Sequence, residues 1–429
     1  MISALGLLKE RRFLPLFVTQ FLGAFNDNLF KQAMVLFATY RVFNDARVES
    51  NFNAIATGLS LIPFFLLSAL SGQLADTVDK ARIIRWVKTA EIGIMLIGGA
   101  GLLMALESHT RVGLGLMLTA VLLLGVHSTF FGPIKYAILP QHLDSHHVLG
   151  GTGLIEAGTY LSILLGTILA GALSVEQSAI AVLVVAGIGW IAGRLVPPAP
   201  RIGPKLEISH NPVTSSWRLI SATMHIPRLF LAICAISFFW TIGAVLIILF
   251  PPLVKNLLTA DRQVASLVLA IFSVGIAIGS VIINRMLDGR ISAKYAPVSV
   301  IAMGGFIVLF SLLSRTWNPA PPHHLYSIYA FLAEPRAIPI MLSLTGIAVT
   351  GGMFVVPLYA FLTTTVPKDQ TARTVAANNV VNSGAMVIGA VLVMGLAALG
   401  TTPENMLFLA AAMCLFSAWI AQKLHLACD

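Results

Sequence analysis

The sequence predicts an all-α polytopic membrane protein of twelve transmembrane helices in a six-plus-six arrangement. Three observations carry this. Charged residues make up only 10% of the 429-residue chain and hydrophobic ones 57%, where a soluble domain is about 25% charged. Mean hydropathy is +0.88, and apolar stretches able to cross a bilayer, which takes roughly 20 residues, recur along the whole length. A break at 197–228, holding Pro197, Pro198, Pro200, Pro204, Pro212 and Pro227, divides these stretches into two sets of six. The expected organisation is a six-helix bundle over 1–196, a cytoplasmic linker over 197–228 and a second bundle over 229–429.

The first segment, 13–40, carries Gln20-Phe-Leu-Gly-Ala-Phe-Asn26-Asp27-Asn-Leu-Phe-Lys31-Gln32. A helix turns about 100° per residue, so Gln20, Asp27 and Lys31 fall within roughly 40° on one face. Ionised groups near the bilayer centre cost several kcal/mol unless they face protein or a wet cavity. The pair is therefore either an ion pair bracing the helix or a substrate site, and the second reading is favoured. The second segment, 54–74, runs into Gly72-Gln-Leu-Ala-Asp76-Thr-Val-Asp79-Lys80-Ala-Arg82. The third, 82–106, places Glu91 three residues past Lys88, and Glu91 is expected near the head groups.

The fourth, 112–139, holds Lys135 just after Gly132-Pro133, which is expected to break the helical ladder and turn Lys135 inward. The fifth, 148–173, places Glu156 roughly 13 Å in, near the midplane, among glycines that allow close helix packing. The sixth is 177–196. After the break come 229–257, 263–286, 295–313, 337–365, 372–399 and 403–424. The eighth is followed by Asn284-Arg285-Met-Leu-Asp288-Gly289-Arg290, a looser echo of the loop after the second. The eleventh holds Asn378, Asn379, Asn382 and Ser383, of which Asn378 and Asn382 share a face. The rest of this half reads as an apolar wall.

Of the 27 Lys and Arg, about 18 fall on one side of the spans and about 7 on the other. The richer side is cytoplasmic, so both termini are expected inside. The net charge of +9 is scattered between apolar runs, which argues against nucleic acid. Three cysteines without CxxC spacing suggest neither a disulfide framework nor a zinc site. No cleavable signal peptide is expected, because the basic start leads into a helix too long and too polar for one. No histidine has an Asp five positions on, as a membrane acyltransferase would want, and neither GxSxG nor GxxxxGK[ST] occurs. Catalysis and a cofactor are not expected. Charges in one half and a greasy wall in the other suit an amphiphile. Lys31 and Lys135 could hold a phosphate, and Asp27 or Glu156 an ammonium.

The six-plus-six pattern and the Gly72–Arg82 loop resemble the major facilitator architecture, although Asp79 stands where that loop's second glycine belongs. The resemblance implies a charge network at a cytoplasmic gate, carried here by Asp76, Lys80, Arg82, Arg285, Asp288 and Arg290. The Gln20–Gln32 motif, Phe131-Gly-Pro-Ile-Lys-Tyr-Ala-Ile-Leu-Pro140 and Ala376-Ala-Asn-Asn379 resemble the bacterial lysophospholipid transporter family within that superfamily. They also resemble the membrane half of bifunctional acyltransferase/acyl-carrier-protein synthetases. This implies a flippase that carries lysophosphatidylethanolamine and related lipids to the inner leaflet of the bacterial inner membrane. Its substrate would meet Gln20, Asn26, Asp27, Lys31, Lys135, Glu156, Asn378, Asn379 and Asn382. The chain stops after the twelfth segment, so a separate acyltransferase/acyl-carrier-protein synthetase is the expected partner. The alternative is a facilitator for another amphiphilic or drug-like molecule; composition alone also leaves open a non-transporting receptor.

Overall fold

The computed structural model describes residues 4–107, 109–200, 211–287, 292–321, 324–364 and 368–428. Among the described residues, twelve long helices carry the fold: α1 Leu14–Phe37, α2 Ala46–Thr77, α3 Lys80–Leu106, α4 Thr110–Ala137, α5 Ser145–Ala172, α6 Val175–Arg194, α7 Pro227–Asn256, α8 Arg262–Met286, α9 Ala296–Arg315, α10 Ala337–Thr364, α11 Lys368–Ala398 and α12 Pro403–Cys428. Each answers one expected segment. Among the described residues, ten helices are long and apolar enough to cross a membrane.

Two expectations are corrected. Pro133 lies inside α4, which runs on unbroken to Ala137, because losing one backbone donor does not end a helix supported by its neighbours. The second helix begins at Ala46, eight residues earlier than its apolar run, since Glu49 and Asn53 in its first turns are buried rather than in a loop. The break at 197–228 holds a further helix, Pro212–Met224.

The chain forms two compact units, Met1–Phe37 with Leu66–Ser215 and Ala38–Phe65 with Ser216–Asp429. In the first, α1 packs on α5 and α6, and α3 on α4 and α6. A Cβ on Gly166 would lie 2.7 Å from the Phe25 carbonyl oxygen, and one on Gly158 would lie 2.8 Å from the Phe17 ring. The glycines of α5 are what let it approach α1 so closely. In the second unit, α7 packs on α11 and α12, α8 on α10, and α9 on α10 and α12.

The loop between α2 and α3 is fastened to the strip that follows α6. Asp79 caps α3 by accepting from the Arg82 amide at 3.2 Å and also accepts from the Ala199 amide at 3.4 Å. The Lys80 amide donates to the Ala199 carbonyl at 3.0 Å, and Arg85 donates to the Val196 carbonyl at 3.2 Å. Asp79, the departure from the facilitator loop, is thus an N-cap. His142, in the short turn Leu139–His142, lies 3.4 Å from the Pro198 carbonyl. Burial holds its imidazole below the ordinary value, which favours a neutral ring.

Candidate functional site

In the first unit the side chain of Lys31 donates to Asp27 Oδ2 at 2.9 Å. Their side chains are 26% and 18% exposed, whereas Gln20 and Asn26 on the same helix are buried. Gln20 Nε2 donates to Thr159 Oγ1 of α5 at 2.9 Å, which fixes the rotation of α1. The other carboxylate oxygen, Asp27 Oδ1, is buried without a hydrogen-bond partner. An ammonium has three donors and a carboxylate about four acceptor positions. The pair therefore neutralises itself while leaving hydrogen-bonding capacity of both signs.

One helical face away lies a second charge cluster, which corrects the placing of Glu91 near the head groups. Glu91 and Lys88 pair within α3, each 1% exposed. Asn26 Nδ2 of α1 donates to Glu91 Oε1 at 3.0 Å, and His127 Nε2 of α4 lies 3.1 Å from Glu91 Oε2. Gly189 and Gly193 of α6 make room for Lys88; a Cβ on Gly189 would lie 2.9 Å from its Nζ. Lys88 lies inside α3, and Asn26 is bonded within this cluster. The i,i+3 spacing of Lys88 and Glu91 was visible in the sequence; His127 carried no signal of its own. Asn26 Oδ1 and the His127 ring nitrogens have no hydrogen-bond partner of their own, and breaking a buried pair by removing one partner is strongly destabilising.

Lys135 of α4 is half-buried and has an interaction partner. The side chains of Glu156 and Asp76 lie outside the described residues, as do Asp288 and Arg290. Lys80 is buried, and Arg82 and Arg285 are exposed.

In the second unit a polar cluster sits where α1 gives way to the one-turn π-helix Ala38–Val42. Lys255, near the end of α7, donates to Glu49 Oε1 at 2.6 Å and to the carbonyls of Thr39 and Phe43. Asn256 donates to Glu49 Oε2. Tyr40 Oη lies 3.0 Å from the Ala260 carbonyl and 3.2 Å from that of Asp261. Every Lys255 donor is matched, and Glu49 is wholly buried. Replacing Lys255 by Met strips Glu49 of its cation and is expected to cost about 1.5–3 kcal/mol, since Asn256 remains. The check is the thermal midpoint in detergent, and an unchanged midpoint would contradict this role.

Beyond the polar residues expected on α11, the second unit carries further polar groups on α7 and α10. Ser237 Oγ of α7 donates to Asn382 Oδ1 of α11 at 2.7 Å. Trp240 Nε1 of α7 donates to Tyr359 Oη of α10 at 2.8 Å. Asn378 is fully buried, with neither amide atom partnered, while Asn379 is exposed. Ser237, Trp240 and Tyr359 escaped the sequence reading because they pass for ordinary span residues.

Residues 16–390 match the family model of the Major Facilitator Superfamily. The chain is 26% identical over 432 residues to a protein from Escherichia coli O1:K1 / APEC named lysophospholipid transporter LplT, covering 95% of each. A Salmonella typhimurium (strain LT2) protein of the same name is 26% identical over 388 residues, covering 86% of this chain and 82% of that one. Among solved structures, a D-xylose-proton symporter superposes with a TM-score of 0.69 at 13% identity, covering 96% of this chain and 98% of the other. A bacterial homologue of the iron transporter ferroportin, inward-facing, gives 0.67 at 14% identity over 97% and 98%. These two likenesses speak for the fold alone.

Proposed function

Because the chain belongs to the Major Facilitator Superfamily and is a membrane transporter, we propose that its cargo is a lysophospholipid, carried by alternating access and without chemical change. The observation that carries this is the partly buried Asp27–Lys31 pair with its unmet Asp27 Oδ1. A lysophosphatidylethanolamine head is itself an ion pair. Its phosphate takes Lys31, and its ammonium takes Asp27. One internal pair is exchanged for two pairs with the ligand, so no net charge is added to a region of low dielectric. Lys135 is a second base for the phosphate, and Glu156 a second acid for the ammonium. The named relatives support the same cargo.

On this reading the lipid moves from the outer to the inner leaflet of a bacterial inner membrane, with both chain termini cytoplasmic, following the basic bias of the loops. A separate acyltransferase/acyl-carrier-protein synthetase then restores the second chain. Gating on the cytoplasmic side is assigned to Asp76, Lys80 and Arg82 of the first unit and to Arg285, Asp288 and Arg290 of the second. Selectivity for one chain follows from apolar burial, worth about 25 cal/mol per Å². A diacyl lipid already has that gain twice over in the bilayer and must house both chains while crossing. Purified protein in proteoliposomes is expected to move fluorescent lysophosphatidylethanolamine across the bilayer and to leave its diacyl counterpart at the protein-free rate. Equal movement of the two would overturn the reading.

A further inference from the structure

The neutral polar groups of the second unit have no role in that head-group exchange. Trp240 is the fourteenth residue of α7, roughly 20 Å along the helix axis. That is mid-span, far from the interfacial belts where Trp normally anchors. It is nevertheless 36% exposed, and its ring nitrogen donates to Tyr359 Oη at 2.8 Å. Asn382 Nδ2 lies 3.5 Å from the same oxygen, and its Oδ1 accepts from Ser237 at 2.7 Å. One turn back on the same face of α11, Asn378 buries a donor and an acceptor with no partner for either. An unmet buried amide costs about 1–3 kcal/mol, and nothing in hydrocarbon can relieve it.

We infer that Ser237, Trp240, Tyr359, Asn378 and Asn382 form a neutral hydrogen-bonding site for the free glycerol hydroxyl of a one-chain lipid. The inference rests on the lysophospholipid reading and deepens it. The bonds joining Ser237, Trp240, Tyr359 and Asn382 are all between neutral groups, which suits an uncharged hydroxyl rather than the zwitterionic head. A hydroxyl both donates and accepts, and Asn378 offers one group of each kind. Trp240 is the exposed member of the set and Asn378 the fully buried one. In a diacyl lipid this hydroxyl is esterified, so its donor is gone. A site built to bond a hydroxyl rejects an analogue without it, because the site's own polar groups then stay unmet.

The test uses the full chain and three probes: lysophosphatidylethanolamine, its analogue lacking the glycerol hydroxyl, and an uncharged monoacylglycerol. Wild type is expected to transport the hydroxyl lipid about tenfold faster than the analogue, the worth of one or two net hydrogen bonds. Asn378→Leu and Tyr359→Phe are expected to bring the hydroxyl lipid down to the analogue's rate and so close the tenfold gap between the two lipids. Asn378→Leu should also raise the thermal midpoint of the ligand-free protein, since it removes an unmet amide; a residue bonded for structure would lower it. Monoacylglycerol should raise the midpoint of wild type and not that of Asn378→Leu. Equal rates for both lipids in wild type, or equal losses for both in the variants, overturn the site. If wild type transports no lysophospholipid yet monoacylglycerol still acts through Asn378, the cargo assignment falls and the hydroxyl site stands. If monoacylglycerol has no effect either, both fall.

Discussion

Lys88→Met is expected to remove most folded protein from the membrane. The substitution leaves the Glu91 carboxylate 1% exposed, with Asn26 and His127 but no fixed cation. Stranding one partner of a buried pair costs about 3–5 kcal/mol, a large share of the roughly 5–15 kcal/mol that holds a typical fold. Glu91→Gln strands Lys88 instead, against the glycines of α6 that were shaped around it, and is expected to do comparable harm. The double variant Lys88→Met with Glu91→Gln removes both charges and keeps a side chain for Asn26 to bond, so it should recover most of the loss. The reading is the amount of monodisperse protein extracted in mild detergent and its thermal midpoint. A Lys88→Met protein with wild-type yield and midpoint would show that this cluster does not brace α1, α3 and α4.

The fold was legible because a bilayer demands long apolar runs, and nothing else in the chain resembles them. Segment ends went wrong where a helix carries buried polar groups. The start of α2 was missed because Glu49, Asn51 and Asn53 read as loop, yet Glu49 meets Lys255 and Asn53 donates to the Ile248 carbonyl at 3.3 Å. Asp27 and Lys31 were legible as a pair because their partnership is local to one helix. Glu91 was not, because Asn26 and His127 come from other helices and only folding brings them to it. In the second unit the asparagines drew notice as polar residues in an apolar run. Trp240 and Tyr359 did not, since aromatic side chains are ordinary in spans and their polar tips gain meaning only through what they touch.

The Asp27–Lys31 pair separates a brace from a binding site. As a brace, each single substitution leaves a partly buried charge unpaired, and neutralising both restores folding and transport together. As a binding site, the double variant folds and does not transport. The single variants then part by head group. Asp27→Asn is expected to slow ethanolamine lipids far more than glycerol lipids, which lack the ammonium. Lys31→Gln is expected to slow both, since both carry phosphate. Charge-assisted hydrogen bonds contribute about 1.5–3 kcal/mol each, so the matched losses should be roughly tenfold to a hundredfold. Exposure of these side chains at 26% and 18% makes the folding penalty smaller than that at Lys88.

The most direct measurement is therefore a double-mutant cycle over Asp27→Asn and Lys31→Gln in proteoliposomes. Transport of lysophosphatidylethanolamine and lysophosphatidylglycerol is read beside the thermal midpoint of each protein. The predicted result is a well-folded double variant that transports neither lipid, with Asp27→Asn alone sparing the glycerol lipid. A double variant that transports both lipids at the wild-type rate would contradict the assignment of this pair to the cargo.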